Sequence, residues 1–367
     1  MNKKYLLIFA VLLLSAITSF WMLPTMTLRS HECFVSVTAR EMLQKHDYIW
    51  PTMNGISRIQ KPPLCYWLVA AVAKLTGSVD ELTARIPSAL FAFLSVIAIL
   101  YYLNKWLSLR IAAISAAVWA TSLTYLRCSH RARPDMVMTF FIIVCMLSFY
   151  QLVISENRRK QIIQAIIFWI SFALANLAKG PAPIPYVLIP IAVYIIINKK
   201  WRTITRMLPV IGSFVFIVMV IPWFLLIANR LNWNLTLWKH EYFDRLFGDY
   251  VPGDYPFYYY MIDMFKYITP WVVFLPIALF TPFYKVWAEK RPAMTYLWIW
   301  FVADIIFLTL DGGKRQHYIL PIIPSMAILI GIVLEDMIFF RKAYPSEFAK
   351  KILLVHAIGI IAAAIVV

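Results

Sequence analysis

Four short motifs set acids beside cations in arrangements that can do chemistry. The first is Arg29-Ser30-His31-Glu32, continued by Ala39-Arg40-Glu41-Met42. Glu32 can take a proton as a general base, and His31 is a second group for that task because imidazole titrates close to working pH. The plainer alternative for Glu32 is the first turn of a helix capped by Ser30. The second motif runs from Asn54 to Leu68 and sets Arg58 and Lys61 beside the rigid Pro62-Pro63 bend, with Tyr66 and Trp67 following. Arg131-Ala132-Arg133-Pro134-Asp135-Met136 is the third, and Asp311-Gly312-Gly313-Lys314-Arg315-Gln316-His317-Tyr318 the fourth. Neutralisation between neighbours accounts for any one of them. Four in one chain point to a shared anionic ligand.

These motifs must be positioned by membrane helices. Of the 367 residues 62% are hydrophobic and only 14% charged, and mean hydropathy is +0.73. Soluble domains carry about a quarter charged residues. Apolar runs recur at 5–23, 86–104, 111–126, 136–154, 161–178, 182–198, 208–228, 262–283, 293–310, 317–336 and 352–367. Each approaches the length a helix needs to cross a hydrocarbon core about 30 Å thick. The alternation of a membrane barrel is absent, so the expected architecture is an all-α polytopic protein of about eleven helices. The first run follows Lys3 and Lys4 as a signal peptide would, but it is long and lacks a small-residue cleavage site, so it reads as a retained helix.

With the N-terminus placed in the cytoplasm, every inner connection is basic, from Lys105 and Arg110 through Arg158-Arg159-Lys160 to Lys350-Lys351. All four motifs then fall on the outer side, where Arg131, Arg133, Lys179, Lys314 and Arg315 oppose that same charge bias. An anionic ligand at the outer membrane surface gives them a reason. The net charge of +17 is spread over short loops rather than gathered on one face, which argues against a nucleic-acid partner and for topology and anionic lipid. Two outer segments are long, 25–85 and 229–261. The first holds two stretches, 34–43 and 64–75, that read as helices lying in the interface. Its aromatic residues form either a membrane-interface belt or sugar-stacking platforms. Cys33, Cys65, Cys128 and Cys145 have no metal-ribbon spacing and are expected as free thiols.

The order of the motifs resembles the GT-C glycosyltransferases, in the branch of the protein O-mannosyltransferases and lipid A aminoarabinose transferases. The resemblance rests on His31-Glu32, Lys61-Pro62-Pro63-Leu64 with Tyr66-Trp67, Ala84-Arg85-Ile86-Pro87, Arg133 to Asp135, Leu177-Ala178-Lys179-Gly180-Pro181, Pro222-Trp223-Phe224, His240-Glu241 with Arg245, Pro270-Trp271, and Lys314-Arg315 with Tyr318. It covers most of the chain and implies one transmembrane glycosyltransferase domain over 1–367 in the inner (plasma) membrane. The implied reaction moves a sugar, with inversion, from a polyprenyl (undecaprenyl) phosphate donor to an extracytoplasmic lipid A, protein or envelope-glycan acceptor.

On that resemblance Glu32 is expected as the base, with Asp135 as second carboxylate and His31 as the alternative. Arg58, Lys61, Lys179, Arg245, Lys314 and Arg315 would hold the donor phosphate, whose charge grows as the sugar leaves. Tyr66, Trp67 and Tyr318 would contact sugar or acceptor, and His240 with Glu241 would hold a divalent metal. The sequence departs from the family pattern at two acids: His31 stands where the first-loop pair begins with Asp, and Gln60 where an acid often precedes Lys-Pro-Pro. The competing readings are a lipid-linked-sugar flippase and an inactive polyprenyl-phosphate-binding relative. The chain stops inside an apolar run at Val367 without the soluble C-terminal region of many relatives, and so reads as naturally short or truncated.

Overall fold

The computed structural model describes residues 3–244, 255–339 and 344–366. Its main helices are α1 (Lys3–Phe20), α2 (Ser30–Lys45), α3 (Leu64–Thr76), α4 (Glu81–Trp106), α5 (Leu109–Ala120), α6 (Leu123–Ser129), α7 (Pro134–Ile154), α8 (Arg158–Lys179), α9 (Pro183–Ile197), α10 (Pro209–Arg230), α11 (Arg291–Leu310), α12 (Ile323–Phe339) and α13 (Ser346–Val366). Six of them, α1, α4, α7, α8, α10 and α11, are long and apolar enough to cross a membrane, and α5 with α6, bent by 62° at a short break, can make a seventh.

Each of the eleven apolar runs is helical over most of its described residues, but eleven unbroken spans are not found among them. Proline is the reason, since it removes a backbone donor and crowds the preceding turn. Pro270, Pro276 and Pro282 cut the run at 262–283 into Tyr259–Tyr267, Trp271–Phe274, Leu275–Phe280 and Thr281–Phe283. Pro321 and Pro324 separate the turn Gln316–Ile319 from α12. The α9 helix has only 15 residues. Both expected outer-loop helices form: 34–43 falls inside α2, and 64–75 becomes α3, whose 13 residues are too few to span.

The core packs α7 against α8, α4 against α5 and α7, and α12 against α5. Small residues permit the last contact. Ala112, Ala113 and Ala116 are fully buried on α5, and a Cβ added at Gly331 of α12 would lie 2.1 Å from Ser115 Oγ. Helices in lipid gain little from apolar burial against each other, so such close backbone approach supplies the attraction. By contrast α1 and α10 leave Phe9, Ile17, Phe214 and Leu225 exposed, as suits a lipid-facing rim. The four cysteines are free, with Cys65 and Cys145 buried and Cys33 and Cys128 half-buried.

Candidate active site

The four motifs converge because three segments fold onto the ends of α7 and α8. The first lies between α2 and α3. Thr52–Met53 and Ile56–Ser57 form a two-residue antiparallel ladder closed by Asn54 and Gly55, both at positive φ (52° and 77°). An Asn-Gly turn adopts that backbone readily, and its twist matches the flanking strands. The Glu41 carboxylate clamps the turn: it accepts from the Thr52 hydroxyl, from Lys45 Nζ at 2.9 Å and from Gly55 N at 3.3 Å. Burial alone would raise its pKa, yet these donors outweigh burial and hold the carboxyl at about 2. The clamp is therefore fully formed above the ordinary carboxylate range and is lost as pH falls toward 2. Glu41→Gln should speed amide exchange across 52–57 about tenfold at neutral pH, measured by hydrogen-exchange mass spectrometry, since hydrogen bonds to charged groups are the stronger ones.

Aromatic side chains fix the rest of this loop from outside. Trp67 Nε1 donates to Tyr48 O (2.7 Å), Trp223 Nε1 to Ile49 O (2.9 Å), Trp238 Nε1 to Ile59 O (2.9 Å) and the Tyr242 hydroxyl to Gln60 O (2.9 Å). Trp67, expected to contact sugar, is thus committed to the loop and is not in the cavity wall. The Tyr242 ring in turn needs Gly180, at φ +70°, where a Cβ would sit 2.7 Å from the Tyr242 hydroxyl. With the segment of Trp238 and Tyr242 as the second, the third, 311–318, is held by Tyr260, whose hydroxyl donates to Arg315 O (3.0 Å) and accepts from Arg315 N (2.8 Å), and by the Tyr186 hydroxyl on Tyr318 O (2.8 Å).

Together these segments enclose a cavity of about 420 Å³. Its charged lining is Arg58, Lys61, Arg133, Lys179 and Arg315 with Asp135 and Glu241, joined by His31, Gln60, Tyr66, His240, His317 and Tyr318. Asp135 opens α7 and is buried; Lys179 closes α8 and reaches Asp135 Oδ1 at 2.5 Å, while Arg133 Nε lies 3.1 Å from Oδ2. Lys61 pairs with Glu241 at 2.5 Å. Arg58 stacks on the Phe34 ring with its guanidinium carbon 4.0 Å from the ring centre. Neither Arg58 nor Arg315 has a carboxylate within ion-pairing distance among the described residues.

Two of the three cavity histidines, His31 and His317, are held toward neutrality. Burial lowers the His31 pKa, and the charges of Arg133, Arg315 and Arg58 lower it further against Asp135. Burial also drives His317 down to about 3, with Lys179, Arg133 and Arg315 overcoming the pull of Asp135. Arg133 Nη2 lies 3.3 Å from His317 Nε2 and donates to that neutral nitrogen, while Asp135 Oδ1, at 3.8 Å, is beyond hydrogen-bond reach.

A second cavity of about 380 Å³ adjoins the first and shares Lys61, Lys179, Glu241 and Tyr318 with it. The remainder of its wall is largely apolar, including Met138, Ile184, Pro185 and Phe307, with Asp311 as its one further carboxylate among the described residues.

Several sequence expectations change here. Glu32 is buried but does not line the cavity. Arg85 grips both its oxygens, Nε to Oε1 at 2.9 Å and Nη2 to Oε2 at 3.1 Å, and Ala132 N and Arg29 N add bonds of 3.0 Å each. The Arg29 contact is the back-half of a capping box, so the helix-terminus alternative describes Glu32 better than a base does, with Arg29 rather than Ser30 at the cap position. Lys314 is buried outside the cavity wall, whereas Arg315 is in it. Arg245 lies outside the described residues. The His240–Glu241 pair does not fit a metal centre: Glu241 is taken by Lys61 and His240 Nδ1 by Asp244, and the described residues hold no group of three metal-ligating side chains. Arg133, Gln60 and His317 are cavity residues that the site expectation omitted. Their signal was position, since each neighbours or lies within a motif already singled out.

Comparisons with known proteins agree with this fold. A model of the dolichyl-phosphate-mannose-protein mannosyltransferase family matches residues 60–226. An undecaprenyl phosphate-alpha-4-amino-4-deoxy-L-arabinose arabinosyl transferase of Pseudomonas fluorescens is 27% identical over 350 residues, covering 92% of this chain and 61% of that protein. An uncharacterised protein of Aquifex aeolicus is 27% identical over 355 residues, covering 94% and 76%. Among solved structures, ArnT from Cupriavidus metallidurans bound to undecaprenyl phosphate aligns with a TM-score of 0.83 at 20% identity, over 98% of this chain and 63% of that one. The Archaeoglobus fulgidus oligosaccharyltransferase in its apo form aligns with a TM-score of 0.62 at 12% identity, over 98% and 55%. The chain thus spans about three-fifths of the transferases it matches.

Proposed function

We propose, for a chain that carries the GT-C glycosyltransferase fold and is related to the aminoarabinose transferases, that it transfers a sugar from a polyprenyl-phosphate donor to an acceptor outside the membrane. The observation that carries this reading is the junction of the two cavities. An amphiphile with a phosphate between a sugar and a prenyl chain needs a polar chamber, an apolar chamber and cations where they meet. Lys61 and Lys179 line both chambers. The prenyl chain would enter the apolar cavity, the phosphate would sit at the two lysines with Arg58 and Arg315 beyond, and the sugar would lie in the larger chamber against Tyr66 and Tyr318.

In the reaction the acceptor oxygen bonds to the anomeric carbon from the face opposite the phosphate. The carbon–oxygen bond to phosphate breaks, and polyprenyl phosphate leaves with the electron pair. Charge then grows on a group surrounded by fixed cations, which act more strongly in a site that excludes water. Asp135 is a positioning residue that aims Lys179 and Arg133. His31 is the base, because among the described residues no hydrogen bond or ion pair engages its ring nitrogens, and its environment keeps it neutral. The cavity would face the extracytoplasmic side of the inner membrane, with the N-terminus cytoplasmic, a reading that the basic connections on the other side support. Lipid A, a protein hydroxyl or an envelope glycan all suit the acceptor position.

Saturable binding of labelled undecaprenyl phosphate to the protein in detergent or nanodiscs tests this reading. Lys61→Ala and Lys179→Ala should each weaken it by ~10–100-fold, the worth of one charge-assisted contact. Undiminished binding by both variants, or none by the wild type, would remove the donor site. A flippase would instead need charged groups along a path through the spans, and the cations here ring one cavity at the helix ends.

A further inference from the structure

We infer that the donor sugar is uncharged, a neutral pentose or hexose rather than an amino sugar, and that Gln60 reads one of its hydroxyls. This rests on the donor reading above and specifies its sugar. The cavity wall holds two carboxylates, and both are committed: Asp135 to Lys179 and Arg133, Glu241 to Lys61. Against them stand the five cations Arg58, Lys61, Arg133, Lys179 and Arg315. A donor phosphodiester brings one negative charge, so the chamber stays positive with the lipid in place. A sugar bearing an ammonium would meet no uncommitted carboxylate in this chamber's wall, since Asp311 lines only the apolar one.

Gln60 supplies the complementary feature. Its backbone is pinned through Tyr242 at 2.9 Å, its side chain lines the cavity, and its buried Oε1 has no hydrogen-bond partner. Buried polar atoms are nearly always paired in the working state of a protein, so a turn of this amide toward the cavity that its side chain lines would give the buried oxygen a donor on the bound sugar. A neutral hydroxyl suits an amide there. A carboxylate in the same place would suit an ammonium.

The test uses the full chain in nanodiscs and three competitors against labelled undecaprenyl phosphate. They are undecaprenyl-phosphate-arabinose, its analogue with an amino group replacing a hydroxyl at one carbon, and unlabelled undecaprenyl phosphate. The hydroxyl sugar should bind about 100-fold more tightly than the amino sugar, the effect expected of placing like charges together. Gln60→Glu should narrow that ratio about tenfold or more, and Gln60→Ala should weaken the hydroxyl sugar while leaving undecaprenyl phosphate itself unchanged. Equal or tighter binding of the amino sugar by the wild type overturns the inference and leaves the donor site standing. Failure of undecaprenyl phosphate to bind at all overturns both.

Discussion

Replacing His31 by Gln should lower kcat by ~10²–10⁴ while leaving donor affinity close to that of the wild type, which is the range a positioned base contributes. The pH profile identifies the cause. A base works in its neutral form, so the rate should rise with pH through the pKa of His31 and level off above it. Burial and the surrounding arginines hold that pKa below the ordinary 6.5 of imidazole, which places the acid limb below pH 6.5. In His31→Gln that limb should disappear along with the rate. If the limb stays in place while the rate falls, His31 shapes the cavity and another group takes the proton. His317 cannot imitate the signal in this range, because its titration lies near pH 3.

Most of the site was legible, and the reasons differ by residue. Lys61, Lys179 and Asp135 stood out because each sits beside a proline or glycine, Lys179 and Asp135 at the ends of apolar runs and Lys61 at the Pro62-Pro63 bend. Arg58 was legible as a cation flanking the Pro62-Pro63 bend, and Arg315 as one opposing the topology bias. The helices followed from composition, and their breaks from proline, although proline marks where a span is cut and not how many pieces still cross the membrane. Trp67, Trp223, Trp238 and Tyr242 could not be assigned from sequence, since an indole on an outer loop serves equally to stack on sugar or to hold a carbonyl. What decides it is a backbone oxygen many residues away: Trp223 donates to Ile49, and Trp238 to Ile59.

Glu32 shows the same limit most sharply, and its replacement carries the other large effect. Locally it is an acid next to a histidine in the first turn of α2. Its partner, Arg85, is 53 residues away on α4 and nearly as buried, at 3% exposure against 2%. Arg85 lies just ahead of the apolar run 86–104, in the second turn of α4, so nothing local marked it as a buried charge that needs a partner in the protein interior. Besides Glu32, its guanidinium donates to the carbonyls of Leu23 (2.7 Å), Met26 (2.8 Å) and Thr27 (3.2 Å), so the pair ties the end of α1, the start of α2 and the loop carrying Arg133 to one point.

Glu32→Gln leaves that guanidinium buried without its counter-charge. The expected loss is about 3–5 kcal/mol of stability, visible as a lower melting midpoint in detergent, with donor binding and turnover falling together. Glu32→Met with Arg85→Met should recover much of the stability, because removing both charges avoids the uncompensated one. The pH dependence supplies the sign. Burial pushes the Glu32 carboxyl up, but the bonds from Arg85, Ala132 and Arg29 prevail and hold it below 4.5. Its contribution is complete above the ordinary carboxylate pKa and drains away as pH falls through the lowered one, so the stability gap between wild type and Glu32→Gln should close only in acid. A Glu32→Gln protein that melts like the wild type yet has lost turnover would return Glu32 to the chemistry.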